Sequence, residues 1–236
     1  PHHTASLVSL TGGGTKVRPG EISMAHNGVL FLDELPEYTK SVLETLRQPL
    51  EDKKITVARA ATTVTYPANF MLIASMNPCP CGFFGSQIRE CNCSVFQIQK
   101  YLSKLSGPLL DRIDINIEVE SLPYSQLSDE QESEKSSDIK IRVDAARKIQ
   151  TERFKDEGIF CNAQMNNAHI KKYCKIDAKS KLLLENCFIK LKLTARAHNR
   201  ILKVARTVAD LAGVKDIMPN HIAEAIQYRS NDNFKV

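Results

Sequence analysis

The sequence predicts an α/β layer with a mostly parallel sheet, incomplete at the N-terminus, followed by an all-α lid-like domain. Two observations point to the first part: continuous apolar runs at 29–32 and 70–75 each stop at polar residues, and a helical pattern separates them. A third observation points to the second part, because beyond residue 138 the pattern is helical, segment after segment.

Val29-Leu30-Phe31-Leu32, ending at Asp33-Glu34, reads as a strand buried on both faces of a parallel sheet. A helix over 39–50 follows, with Val42, Leu43, Leu46 and Leu50 on one face and Pro49 limiting its last turn. Two β-rich stretches around a short turn at 55–66 read as a hairpin. The run at 70–75 is a second strand, stopped by Met76-Asn77-Pro78. Ser94 caps a helix carrying Ile98, Tyr101, Leu102 and Leu105, which is expected to end at Gly107-Pro108. Ile113, Ile115, Ile117 and Val119 alternate with polar residues, the pattern of a half-buried strand. Residues 121–138 are acidic and polar and read as a linker. Helices are then expected over 139–154, 167–174, 178–191, 194–212 and 219–229, with Pro219 opening the last and Gly213 closing the one before it. The domains expected are therefore a core over 1–120, a linker over 121–138 and a helical domain over 139–236.

Composition bounds the function. Hydrophobic residues at 42% and charged residues at 25% fit an ordinary globular chain, and no apolar run approaches the ~20 residues of a membrane helix. No secretory leader is visible at the start, so a cytoplasmic location without membrane contact is expected. Residues 1–138 hold 12 Lys+Arg against 17 Asp+Glu, whereas 139–236 hold 20 against 10. A basic second half suits either a polyanionic partner or solvated lysine faces.

The segment GVLFLDELPE puts two carboxylates at the carboxyl edge of a sheet, where open α/β sheets bind ligands. Asp33 there is expected to hold Mg²⁺ beside nucleotide phosphates, and Glu34 to polarise the attacking water. Asn77, at the end of the second run, is placed to orient that water or touch the terminal phosphate. Arg112 in LSGPLLDRIDI is placed to reach a neighbouring subunit, and Arg196 in TARAHNRILKVARTVADLAG to reach back to a phosphate. A capping Asn, a surface Arg and a helix-face Arg are the plain alternatives.

Taken together with PHHTAS, GGG, NPCPCG and HIAEAIQYRS, these segments resemble the magnesium-chelatase-like branch of the AAA+ ATPases, most closely the YifB/ComM competence-protein family. The resemblance covers essentially the whole chain. It implies that Asp33 and Glu34 match Walker B, Asn77 sensor 1, Arg112 the arginine finger and Arg196 sensor 2, with Arg200 one turn away as second choice. It implies an ATP- and Mg²⁺-dependent homo-oligomer, a hexameric ring, that remodels or moves on DNA in competence and recombination. It also implies a fragment. No G-x-x-x-x-G-K-[ST] motif is present, and Gly12-Gly13-Gly14-Thr15-Lys16 lacks the strand and helix that a phosphate loop needs. The chain alone is therefore expected not to hydrolyse ATP. Two other readings are a motor subunit driving metal insertion into a porphyrin through a partner protein, and a non-catalytic interaction module. PHHT, GGG and NPCPCG favour the competence type.

Cys79, Cys81, Cys91 and Cys93 form C-x-C-x9-C-x-C, a pattern for a structural Zn²⁺ site, with two disulfides or buried thiols as alternatives. Cys161, Cys174 and Cys187 are read as lying in helical segments and are expected to pack as small hydrophobes. His2 and His3 show no metal-ligand spacing and suit capping or loop roles. The hairpin at 55–66 corresponds to an insertion that, by the resemblance, points into a central pore, and Arg59 near its tip is the expected DNA-backbone contact.

Overall fold

The computed structural model describes residues 1–59, 62–86, 88–119, 134–191 and 193–229. The chain divides into two compact units, Pro1–Ile113 and a second that begins at Asp114.

In the first unit the short helix α1 (Leu7–Thr11) is capped by Ser6, whose hydroxyl accepts from the Ser9 amide. It runs into a tight antiparallel turn, β1 (Gly12–Gly13) against β2 (Arg18–Pro19), and then α2 (Glu21–Met24). Glycine is required at this crossing. A Cβ on Gly12, at φ +90°, would lie 2.4 Å from the Arg18 carbonyl oxygen, and one on Gly20 would lie 2.3 Å from the Gly12 nitrogen. The glycine run is thus spent on a hairpin.

Strand β3 (Val29–Leu32) follows, and after it a 3₁₀ turn (Leu35–Glu37) and two helices, α3 (Lys40–Thr45) and α4 (Arg47–Asp52). A single helix over 39–50 was the expectation. The chain instead breaks at Leu46, and Pro49 falls in the first turn of α4, where a missing N–H costs nothing. Strands β4 (Lys54–Arg59) and β5 (Thr62–Pro67) pair antiparallel as the expected hairpin, with Val57 opposite Val64. Strand β6 (Met71–Ala74) then pairs parallel with β3 in register, Val29 opposite Met71 and Leu32 opposite Ala74.

Leu30 and Leu32 point into a core with Leu10, Ile22, Leu35, Tyr38, Val42, Leu43, Leu46, Phe70 and Leu109. The opposite face corrects the expectation of a strand buried on both sides: Val29, Phe31, Met71 and Ile73 are 54, 50, 55 and 44% exposed. Among the described residues nothing packs on that face closely enough to bury it. Helix α5 (Val95–Leu102) begins at the expected Ser94 cap, and Gln97 completes a reciprocal capping box with it. It stops at Leu102 rather than at Gly107-Pro108, which open a further turn, α6 (Gly107–Leu110), capped by Ser106. Pro108 sits in its first turn, where proline is tolerated.

The second unit opens with a correction. Residues 113–119 form no strand; the Asn116 amide donates to the Tyr228 carbonyl at 2.8 Å, and Ile117 and Val119 are exposed. Alternation is necessary for a half-buried strand but does not supply the neighbouring sheet edge. Of the linker expected over 121–138, the stretch 121–133 lies outside the described residues, and helix α7 (Ser136–Arg153) already occupies its end.

Four more helices follow: α8 (Asn167–Tyr173), α9 (Ala178–Lys190), α10 (Ala195–Leu211) and α11 (Pro219–Gln227). Pro219 occupies the first turn of α11. Gly213, at φ +68°, closes α10 while the Val214 amide bonds back to the Ala209 carbonyl at 3.0 Å. Phe154, Met165, Ile170, Leu184, Ile201, Ala205, Ile217 and Ile222 form the helical core. Cys174 is buried in it and its thiol is pushed up to about 11 by that burial, while Cys187 packs at its margin. Cys161 departs from expectation by preceding a 3₁₀ turn (Asn162–Gln164) instead of lying in a helix.

A buried carboxylate ties this unit together. Asp210 of α10, its side chain 0% exposed, pairs with Arg153 of α7 through both guanidinium nitrogens. It also accepts from the Asn162 amide at 2.8 Å and from Arg206 Nε at 3.1 Å. Arg206 in turn donates to the Val214 and Lys215 carbonyls beyond the helix. Removing the carboxylate leaves two buried cations uncompensated, so Asp210→Ala is expected to destabilise this unit by about 3–5 kcal/mol in urea unfolding. A loss under ~1 kcal/mol would show that the network is solvated.

Candidate functional site

Parallel in-register pairing fixes which residues meet at the carboxyl ends of β3 and β6. The Ser75 amide donates to the Leu32 carbonyl at 3.0 Å, and the Leu35 amide to the Ser75 carbonyl at 2.9 Å, so the pairing continues one residue past each strand. Asp33 Oδ1 accepts from the Ser75 hydroxyl and, at 3.0 Å, from the Glu34 amide. Ser75 was not selected by sequence reading; its only signal was that it ends the second apolar run.

Glu34 adopts a left-handed backbone, φ 51° and ψ 50°, at the start of the 3₁₀ turn. For a residue with a Cβ this costs on the order of 1 kcal/mol and fixes the direction in which the side chain leaves the sheet edge. Its carboxylate is half exposed, and Oε2 lies 2.9 Å from Nδ1 of His3. Tyr38, which ends the same turn, is buried, and burial followed by the charge of Asp33 raises its phenol. The phenol donates to the Pro1 carbonyl at 2.6 Å.

Asn77 lies three residues beyond β6. Gly82, at φ +82°, sits beside its amide; a Cβ there would be 3.9 Å from Asn77 Cγ. The loop therefore folds back against the amide at this point. Beneath it Tyr101 of α5 is buried, and its phenol is pushed up to about 12 by that burial, with Glu37 adding to the rise.

Arg112 follows α6 and is only 10% exposed at its side chain. Its guanidinium donates to the Pro108 carbonyl at 2.7 Å and pairs with the Glu51 carboxylate of α4. It lines a cavity of about 330 Å³ with Glu44, Arg47, Gln48, Glu51 and Asp52. Glu51 was missed by sequence reading, since it lies 61 positions from Arg112. In the second unit Arg196 is exposed in the first turn of α10, and Arg200, one turn on, pairs with the Asp114 carboxylate. Arg59 ends β4 opposite Thr62, at the tip of the hairpin.

The four clustered cysteines converge. Cys79 and Cys81 Sγ are 3.3 Å apart, each is 3.6 Å from Cys91 Sγ, and all four sulfurs lie within 4.8 Å of one another. These separations exceed the ~2.05 Å of an S–S bond, and all seven cysteines are free thiols, which sets aside the two-disulfide alternative. Four thiolates around Zn²⁺ at ~2.3 Å would stand about 3.8 Å apart, close to what is observed. The group packs on Ile98, Tyr101, Leu102 and Met76, so the loop leaving Asn77 and the inner face of α5 share one small core. A backbone hydrogen bond at Phe83 is the largest influence on Cys81 and brings its thiol down to about 6. Cys91 is held up at about 12: a backbone hydrogen bond at Cys93 lowers it, but burial and the neighbouring thiols outweigh that.

Comparison with known proteins gives the geometry its family. The family model described as magnesium chelatase, subunit ChlI, matches residues 1–127, and the model of the ChlI C-terminal region matches residues 133–229. The competence protein ComM of Haemophilus influenzae is 47% identical over 232 residues, 98% of this chain and 44% of its own length. The uncharacterized protein YifB of Escherichia coli is 43% identical over 237 residues, all of this chain and 46% of its own. An uncharacterized protein of Mycobacterium tuberculosis is 38% identical over 230 residues, 97% and 45% of the two chains. This chain thus spans less than half the length of these relatives. With its mixed α/β first unit and helical second unit, it belongs to the magnesium-chelatase-like family of AAA+ ATPases, in the branch of ComM and YifB.

Proposed function

We propose that this chain supplies the hydrolytic edge and the helical lid of an ATP-driven motor that, in the whole protein, remodels or translocates DNA during uptake and recombination. The observation that carries this reading is the pair Asp33–Glu34 at the carboxyl end of β3, anchored to Ser75 at the end of β6. Asp33, with Oδ1 already engaged, fits a role in holding hydrated Mg²⁺, which supplies positive charge at the phosphates. Glu34 polarises a water whose oxygen bonds the γ-phosphorus as the bridging P–O bond to ADP breaks. Asn77 orients that water, Arg196 or Arg200 senses phosphate, and Arg112 serves the next subunit of a hexameric ring. Arg59 at the hairpin tip contacts the DNA backbone, and the basic second unit adds long-range attraction.

The family models carry the name of a chelatase subunit, which favours a second reading: a motor that drives metal insertion through a partner protein. ATP turnover by the whole protein separates the two, since stimulation by DNA supports the first and indifference to DNA supports the second. The 236-residue chain, without a phosphate-loop motif, is expected to show no turnover. A turnover signal from it that vanishes with Glu34→Gln would overturn that expectation.

Arg112 tests assembly. In the whole protein Arg112→Ala is expected to leave ATP binding intact and lower hydrolysis by ~10³ to 10⁵. Mixing it with Glu34→Gln subunits restores part of the activity, because one interface then pairs an intact Glu34 with an intact Arg112. Failure in co-assembled rings would assign Arg112 to its Glu51 contact instead.

The cysteine cluster holds one structural Zn²⁺, clamping the loop that leaves Asn77 onto α5. Elemental analysis of reduced protein is expected to find stoichiometric zinc, lost in Cys91→Ser/Cys93→Ser. Metal-free, fully folded wild-type protein would refute it.

A further inference from the structure

We infer that Glu51 is a latch on Arg112: it holds the guanidinium folded back on its own subunit until the phosphate of a neighbouring site takes its place. This rests on the reading of Arg112 as a finger that acts in trans. Such a finger needs its terminal nitrogens turned outward, and here both are engaged within the chain. One donates to the Pro108 carbonyl at 2.7 Å and the other pairs with the Glu51 carboxylate. The side chain is mostly buried, so little of the guanidinium faces a neighbour. Glu51 and Asp52 also close α4 at the end where the helix dipole disfavours negative charge, so the stability of α4 does not account for Glu51.

Both ends of the latch stand on fixed backbone. Leu46, just before α4, and Leu109 of α6 are fully buried in one core. Lys53 closes α4 with its amide on the Pro49 carbonyl, and the Arg112 amide bonds the Leu109 carbonyl at 2.9 Å. The two side chains, by contrast, have room to part. The cavity of about 330 Å³ beside them is walled by Glu44, Arg47, Gln48 and Asp52 as well as by the pair itself. Glu44 is committed to Arg47 at 2.5 Å, and Glu51 is the carboxylate bonded to Arg112. Glu51 is nearly half exposed, and an ion pair reached by water biases an equilibrium by no more than about five-fold. A phosphate carries more charge than one carboxylate and offers several acceptor oxygens to the planar fork of donors, so it wins the exchange. Glu51 therefore lowers the fraction of subunits with an extended finger without blocking a complete ring.

The test uses the whole protein and follows ATP turnover per subunit as protein concentration is raised, since turnover in trans appears only as neighbours meet. Glu51→Gln keeps the side chain's shape and removes its charge. It is expected to reach half of its maximal rate at about two- to five-fold lower protein concentration than wild type. Its maximal rate stays within about two-fold, because in the complete ring the guanidinium has left Glu51. A subunit merely destabilised by the change would need more protein, not less. In the Arg112→Ala background the same change leaves the residual rate where it was, because the effect runs through the guanidinium. An unchanged or higher half-maximal concentration in Glu51→Gln, with Arg112→Ala inactive, would overturn the latch and leave the finger standing. A maximal rate below about half of wild type would also refute it, by making Glu51 a support of the extended finger. Wild-type turnover in Arg112→Ala would sink the reading of Arg112 and the latch with it.

Discussion

The parallel, in-register pairing of β3 with β6 is the constraint on which the first unit depends. Thirty-eight residues separate Leu32 from Met71, and they fold into two helices and a hairpin that return the chain beside its starting strand. Once Leu32 stands opposite Ala74, Asp33 and Ser75 follow at the same edge, and the Ser75 amide and carbonyl bridge the two chain segments. A slip by one residue would turn Leu30 and Leu32 out of the core and carry Asp33 away from Ser75. Hydrophobic burial and placement of polar chemistry are thus fixed by a single register.

The second unit solves a different problem. Beside its apolar core it carries a buried polar centre. Asp210 joins α7, the 3₁₀ turn after it, α10 and, through Arg206, the chain leaving α10. Burial lowers the Arg206 guanidinium from its ordinary value, the facing Asp210 carboxylate opposes that fall and the Arg153 charge adds to it. The arrangement is specific because each cation has one place where its charge is met.

Much of the architecture was legible because local rules agreed with the tertiary outcome. The Ser94 cap, Pro219, Gly213 and the two β-rich stretches of the hairpin each act over a few residues, and each appears as read. The misses fall where a neighbour decides. Residues 113–119 alternate as a strand should, yet form none. The apolar run of β3 reads as buried on both faces, yet Val29 and Phe31 are half exposed among the described residues. Pro49 and Pro108 were read as stops because proline breaks helix interiors, but both occupy first turns, where there is no hydrogen bond to lose.

The sequence by itself determined the chemistry available at each position: two carboxylates after an apolar run, an amide after a second one, four thiols in fifteen residues, and arginines on helical ends. It determined too that the glycine run at 12–14 is no phosphate loop. Only the tertiary structure decided which groups face one another. Ser75 on Asp33, Glu51 on Arg112 and His3 on Glu34 join residues 42, 61 and 31 positions apart, and no local propensity encodes such pairs. The physical reason is that a side chain's partner is set by how strands register and helices pack, and those are properties of the whole unit's burial rather than of any short segment.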